Sequence, residues 1–135
     1  QRTEKYYFHV LSKQTTVMTI FLGGVYNINH LNNLRYFSNL YFHGHSVGGT
    51  NPSLLEAMAS NALIIAHDNI FNRAILEEDA YYFNNANDVQ FHIEKTIKHQ
   101  NTIFLANCTE KISTKYSWNK INQMYLTLFK QALEN

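Results

Sequence analysis

The sequence predicts an α/β fold, a parallel sheet of about four strands with flanking helices and a helical carboxy-terminal part. Short apolar runs rich in β-forming residues alternate with helix-like stretches as far as Phe83. Beyond Phe83 those runs stop and helical periodicity takes over. The only proline and three of the five glycines fall within residues 43–60, "HGHSVGGTNPSLLEAMAS", which reads as a strand-to-helix junction.

Taken in order, residues 3–13 read as helix in preference to strand. The runs "TIFLGG" near residue 20, "LYFHG" near 42, "LIIAH" near 65 and "AYYF" near 82 read as buried strands. Between them, "NINHLNNLRYFSN" places Ile28, Leu31, Leu34 and Phe37 on one helical stripe, and "NPSLLEAMAS" and "NIFNRAILEED" supply two further helices. After the last strand, "NDVQFHIEKTIKH", "TIFLANCTEKIS" and "SWNKINQMYLTLFKQALEN" are helical. Ser117 is the cap of the final helix, where Trp118, Ile121, Tyr125, Leu128, Phe129 and Ala132 form a stripe that needs a cover. No internal repeat or flexible linker interrupts the chain.

A length of 135 residues with 45% hydrophobic content fits one globular domain over residues 1–135. Eleven basic and ten acidic residues give a net charge of +1, so no electrostatic footprint points to nucleic acid. A single cysteine, Cys108, excludes an intrachain disulfide, fits a reducing compartment and is expected in the interior. No stretch approaches the roughly 20 apolar residues of a bilayer span, and "QRTEKYYFHV" has no signal-peptide core. The expected location is the cytoplasm, with peripheral attachment at an inner membrane face as the alternative. The chain opens on Gln1, which leaves a missing natural start open.

In an open parallel sheet, ligands bind beyond the carboxyl ends of the strands, and residues 44–53 follow "LYFH" at that end. Gly48 and Gly49 permit positive φ and close backbone approach. Asn51 can cap the next helix with Pro52 at its first position, leaving the N–H groups of Ser53, Leu54 and Leu55 aimed outward. Glycines followed by unpaired amides at the positive end of a helix suit a diphosphate. A tight connection that merely satisfies backbone geometry explains the same residues. Glu56 has two readings as well: a capping box with Ser53, or a bidentate acceptor for the vicinal hydroxyls of a ribose. Leu54, Leu55, Met58 and Ala59 are expected to face the core, with Glu56 on the other side.

The run "YFHGHSVGGTNPSLLEAMASNALIIAHDNIFNRAILEEDAYYF" resembles the carboxy-terminal domain of family 4 glycosyltransferases of the two-domain GT-B type, closest to the rhamnosyltransferase-like branch of bacterial polysaccharide assembly. The likeness extends less sharply to "IFLGGVYNINHLNNLRYFSN" and "YSWNKINQMYLTLF". It implies a Rossmann-like domain in which Glu56 binds the nucleotide ribose. The turn at Gly48, Gly49, Thr50 and Asn51, with the amides of Ser53, Leu54 and Leu55, then holds the diphosphate and donor sugar. Across the broader family a second glutamate contacts the hexose eight positions earlier, where this chain has Gly48. The loop "AHDNIFNR" leaves the next strand at the same edge, so that His67, Asp68, Asn69, Asn72 and Arg73, along with His45, stand as further base or sugar contacts. Arg73 is the one cation expected near the turn, although a solvated surface arginine has the same sequence signature.

The resemblance further implies a nucleoside diphosphate sugar as donor, no cofactor, no metal, and retention of anomeric configuration. The acceptor, a glycan or lipid-linked glycan, and the usual catalytic histidine belong to an amino-terminal domain that this sequence does not contain. No counterpart of the first two strands of the nucleotide-binding domain appears either. The expectation is an incomplete domain, inactive alone, in which "TIFLG" pairs beside "LYFHG" or a second copy covers the exposed edge. A non-catalytic remnant that binds a nucleotide or another protein is the competing reading. Metal binding by His43 and His45 is a third, for which the sequence offers no nearby Cys or carboxylate partner, and His9, His30, His92 and His99 are scattered.

Overall fold

The computed structural model describes residues 20–134. Asparagine starts four of its helices: the side-chain oxygens of Asn27, Asn51, Asn69 and Asn85 each accept from a first-turn backbone amide. These caps begin α1 (Ile28–Phe37), α2 (Pro52–Ala59), α3 (Ile70–Leu76) and α4 (Ala86–Lys95). At α4 the cap is a full capping box, in which the Asp88 carboxylate accepts from the Asn85 amide. A 3-10 turn at Lys98–Gln100 leads into α5 (Thr102–Thr114), and Ser117 caps α6 (Trp118–Leu133) by accepting from the Lys120 amide.

Three strands, β1 (Tyr41–His43), β2 (Ile64–His67) and β3 (Tyr81–Phe83), pair in parallel in the order β1-β2-β3. Phe42 stands opposite Ile65, which stands opposite Tyr81. The α/β architecture with a helical carboxy-terminal part is therefore the one the alternating pattern predicts. Central β2 is buried along Ile64, Ile65 and Ala66, the signature of a parallel strand covered on both faces. Around it pack Leu54, Ala57 and Met58 from α2, Ile75 and Leu76 from α3, Ala80, and Cys108 from α5. Cys108 is interior as expected, and burial pushes its thiol pKa up to about 11.

Four local expectations turn out differently. The described part of the run near residue 20 forms no strand: residues 20–27 carry no regular element, Gly23 takes φ +67°, and among the described residues β1 is an edge of the sheet. Residues 3–13 lie outside the described residues. Along α1 the expected apolar stripe faces outward, with Phe37 78% exposed, while Arg35 is buried at 5%. The reason is that α1 meets α2 through polar groups, Asn32 on Ser60 and Arg35 on Glu56. In α2 it is Ala57, not Ala59, that enters the core. The α6 stripe is present but open, with Trp118 80% exposed and Tyr125 and Phe129 tilted against each other. Among the described residues no helix is long and apolar enough to cross a membrane.

Candidate functional site

Because the three strands are parallel, the loops leaving β1, β2 and β3 emerge at one edge of the sheet. Two asparagine amides stitch the first two loops together. Asn69 Nδ2 donates to the His45 carbonyl at 3.0 Å, and Asn72 Nδ2 donates to the same carbonyl at 3.1 Å and to that of His67 at 2.8 Å. Asn69 Oδ1 meanwhile accepts from the Phe71 and Asn72 amides, capping α3. The structure thus brings His45, His67, Asn69 and Asn72 together as the sequence reading requires. Their amide groups, however, are spent on main-chain carbonyls, and Asn72 is 4% exposed.

Arg73 is likewise committed. Its Nε and Nη2 grip the Asp68 carboxylate at 2.5 and 2.9 Å, and its guanidinium lies 4.2 Å from the centre of the Tyr82 ring. The hydrogen bond from Arg73 holds the Asp68 carboxyl below its usual pKa. His67 turns its ring edge-on to Phe83 at 5.6 Å.

His43 ends β1 beneath this edge. It is 1% exposed, stacks on His45 at 4.6 Å, and its Nε2 has no hydrogen-bond partner. Burial first, and the His45 charge second, lower its pKa, so the neutral ring is the resident form. Among the described residues no group of three or more His, Cys, Asp or Glu side chains is arranged to hold a metal ion.

At the start of α2 the structure amends the expected anion site. Asn51 is the cap and Pro52 the first helical residue, as read from the sequence. Yet the Ser53 amide donates to Asn51 Oδ1 at 3.0 Å, and the Leu54 and Leu55 amides donate to the Asn51 carbonyl at 3.0 and 3.2 Å. Ser53 Oγ also donates to Asn51 Oδ1. The three amides expected to point outward are satisfied within the turn, because an asparagine cap occupies the same donors an anion would use. Ahead of the cap, Gly48 takes φ +116° and Gly49 has open space where a Cβ would stand. No hydrogen bond from the amides of Gly48, Gly49, Thr50 or Asn51 to another described residue forms, so the open donors lie in the turn itself.

Glu56, the fifth residue of α2, does not form the capping box. Its carboxylate does not return to Ser53; Arg35 Nη2 donates to Oε2 at 2.8 Å, and Oε1 accepts from no described residue. The Glu56 side chain is 47% exposed. Arg35 is therefore a second cation, beside Glu56, that the sequence reading did not name. The sequence reading followed only the apolar stripe of α1 and assigned Arg35 no role. A usable signal existed only in the polar spacing of Asn32 and Arg35, since Asn32 Oδ1 accepts from both Arg35 Nη1 and Ser60 Oγ.

A separate cavity of 610 Å³ lies along α6, lined in part by Ile121, Met124, Tyr125 and Leu128. Its lining includes none of the strand-end residues, and its described wall comes from one helix, so it does not define the chemistry of the sheet edge.

The fold and the edge together define an α/β domain with a glycine turn at the ends of parallel strands and a half-exposed carboxylate on the helix that follows. No protein-family model, no curated protein and no solved structure matches the chain.

Proposed function

We propose that this chain is the donor-binding part of a retaining glycosyltransferase. It would bind a nucleoside diphosphate sugar, rhamnosyl in the reading its sequence suggests, for transfer to a glycan during polysaccharide synthesis. The observation that carries the reading is Glu56. A carboxylate with one oxygen tethered and the other open, set on the helix behind a glycine turn at the ends of parallel strands, suits a ribose diol. In this reading the open amides of Gly48, Gly49, Thr50 and Asn51 take the diphosphate and sugar, in place of those of Ser53 to Leu55. Rate enhancement would come from stabilising the departing diphosphate and holding the acceptor in place, with catalytic groups supplied by a separate amino-terminal domain. No resident cofactor or metal enters the scheme.

One specific observation favours a non-catalytic nucleotide-binding or protein-interaction module. Arg73 is neutralised by Asp68 and the first-turn amides of α2 by Asn51, which leaves the phosphate position without a free cation among these groups. Calorimetric titration with UDP, GDP and dTDP, on the wild type and on Glu56→Ala, tests the first reading. Saturable binding of one nucleotide that disappears in the variant supports a donor site and identifies the base. Absence of binding to all three removes the donor-site reading. Where a nucleotide binds, adding a separately produced amino-terminal domain and assaying sugar transfer divides the split enzyme from the module.

A further inference from the structure

We infer that Arg35 is a positioning residue, which fixes the Glu56 carboxylate so that its open oxygen meets the vicinal hydroxyls of a ribose. The inference rests on the nucleotide-site reading above and adds to it a residue that the sequence reading left without a role.

Arg35 is 5% exposed, yet its guanidinium is not fully used. Nη2 donates to Glu56 Oε2 at 2.8 Å and Nη1 to Asn32 Oδ1 at 3.3 Å, while buried Nε has no partner. Its Cζ lies 6.0 Å from the centre of the Tyr41 ring, at the start of β1. Arg–carboxylate pairs are frequently bidentate forks that engage both oxygens, as Arg73 does with Asp68. Arg35 makes a single-oxygen contact and keeps a donor buried and unpaired, an arrangement that costs stability rather than adding it. What the contact accomplishes is orientation. Glu56 is half exposed and, without Arg35, would sample its rotamers in water. Tethered at Oε2, it offers Oε1 and a remaining Oε2 lone pair as two acceptors at a fixed spacing, which matches the two donors of a cis diol. The rotamer freedom is lost before the ligand arrives, so binding does not bear that cost again. The tether itself is rigid: Asn32 holds Nη1 from the same helix and is bonded across to Ser60 at the far end of α2.

The test is a double-mutant cycle read by calorimetry with UDP, GDP and dTDP, on wild type, Arg35→Gln, Glu56→Ala and the double variant, with thermal melts to confirm folding. Arg35→Gln is expected to weaken the nucleotide that binds by roughly fivefold to tenfold, the size of one immobilised side chain, and to have no further effect when Glu56 is already alanine. Arg35→Lys, which keeps the buried charge and one donor, recovers part of the loss and also serves if Arg35→Gln does not fold. In the absence of nucleotide, side-chain scalar couplings should report one Glu56 rotamer in the wild type and an averaged set in Arg35→Gln. An equal loss in both Glu56 backgrounds, or Glu56 couplings that ignore the Arg35 substitution, overturns the inference while leaving the nucleotide site standing. A wild type that binds none of the three nucleotides removes the nucleotide site, and the ribose with it.

Discussion

Asn72 shows how far a single side chain can be from its sequence-level appearance. Read as a polar residue early in a helix at the ligand edge, it is in fact a buried clamp that donates to the carbonyls of His45 and His67. Asn72→Ala should therefore lower stability by about 1–3 kcal/mol in urea denaturation, since a buried donor pair vanishes and two carbonyls lose a partner. Asn72→Asp should do more harm, because a carboxylate cannot donate to either carbonyl. His43 offers a second residue-scale prediction. Its pKa lies below the ordinary 6.5 in the folded chain, through burial first and the stacked His45 second, and the rings facing it are those of His45 and Tyr41. As pH falls through the unfolded value, the unfolded chain takes up a proton that the folded chain resists. Stability thus falls below about pH 6.5 and levels off once the folded value is passed. Urea midpoints measured between neutral and mildly acidic pH should show a one-proton component that disappears in His43→Phe. Sequence reasoning located His45, His67, Asn69 and Asn72 at the correct edge but not the direction of their polar atoms. Edge placement follows from chain order along parallel strands, whereas direction depends on which carbonyl a neighbouring loop presents.

At the scale of elements, helix ends carry much of the local specification. Four asparagine caps start four helices, and the one at Asn51 also consumes the amides that an anion would need. Asn51→Ala is expected to cost about 0.5–2 kcal/mol of stability, read from the urea midpoint. Gly48 precedes that cap at φ +116° with open space around the missing Cβ, so its requirement is conformational and not steric. Gly48→Glu and Gly48→Ala are each expected to destabilise by about 1–3 kcal/mol through backbone strain alone. The opposite end of α3 is closed from outside. Lys111, 7% exposed on α5, donates to the Leu76 carbonyl at 2.7 Å and pairs with Asp79 at 2.7 Å and Glu77 at 3.0 Å. Burial works against its charge, but the hydrogen bonds to Asp79 and Glu77 outweigh that and hold its pKa above the usual lysine value. Lys111→Met should lower the thermal midpoint clearly, while Lys115→Met, which removes an exposed partner of Glu77, should leave it nearly unchanged. The Asn51 cap was legible because Asn-Pro at a helix start is a local signal. The Lys111 closure was not, because it joins residues 35 positions apart in sequence.

For the whole molecule the open question is what meets the edge of the sheet. With β1 at one side of the order β1-β2-β3, Phe42 stays partly exposed and packs edge-on against Phe83 at 6.2 Å. Among the described residues no strand pairs with the free side of β1, and a second copy pairing there is one of the two covers expected from the sequence. Sedimentation velocity should then show concentration-dependent association that Phe42→Lys suppresses, and a monomer at every concentration would rule this out. What the sequence determined by itself was the alternation of strand and helix, the parallel sheet, the buried Cys108, and the edge at which loops and helix starts converge. These follow from periodicity and capping, which act over a few residues. What only tertiary structure decided was the absence of a strand at residues 20–27, the inward turn of Arg35, and the commitment of Arg73 to Asp68 and of the Ser53 amide to Asn51. The last three depend on which partner a polar group finds once the chain is packed, and for buried charges that choice is made by desolvation and not by local pattern.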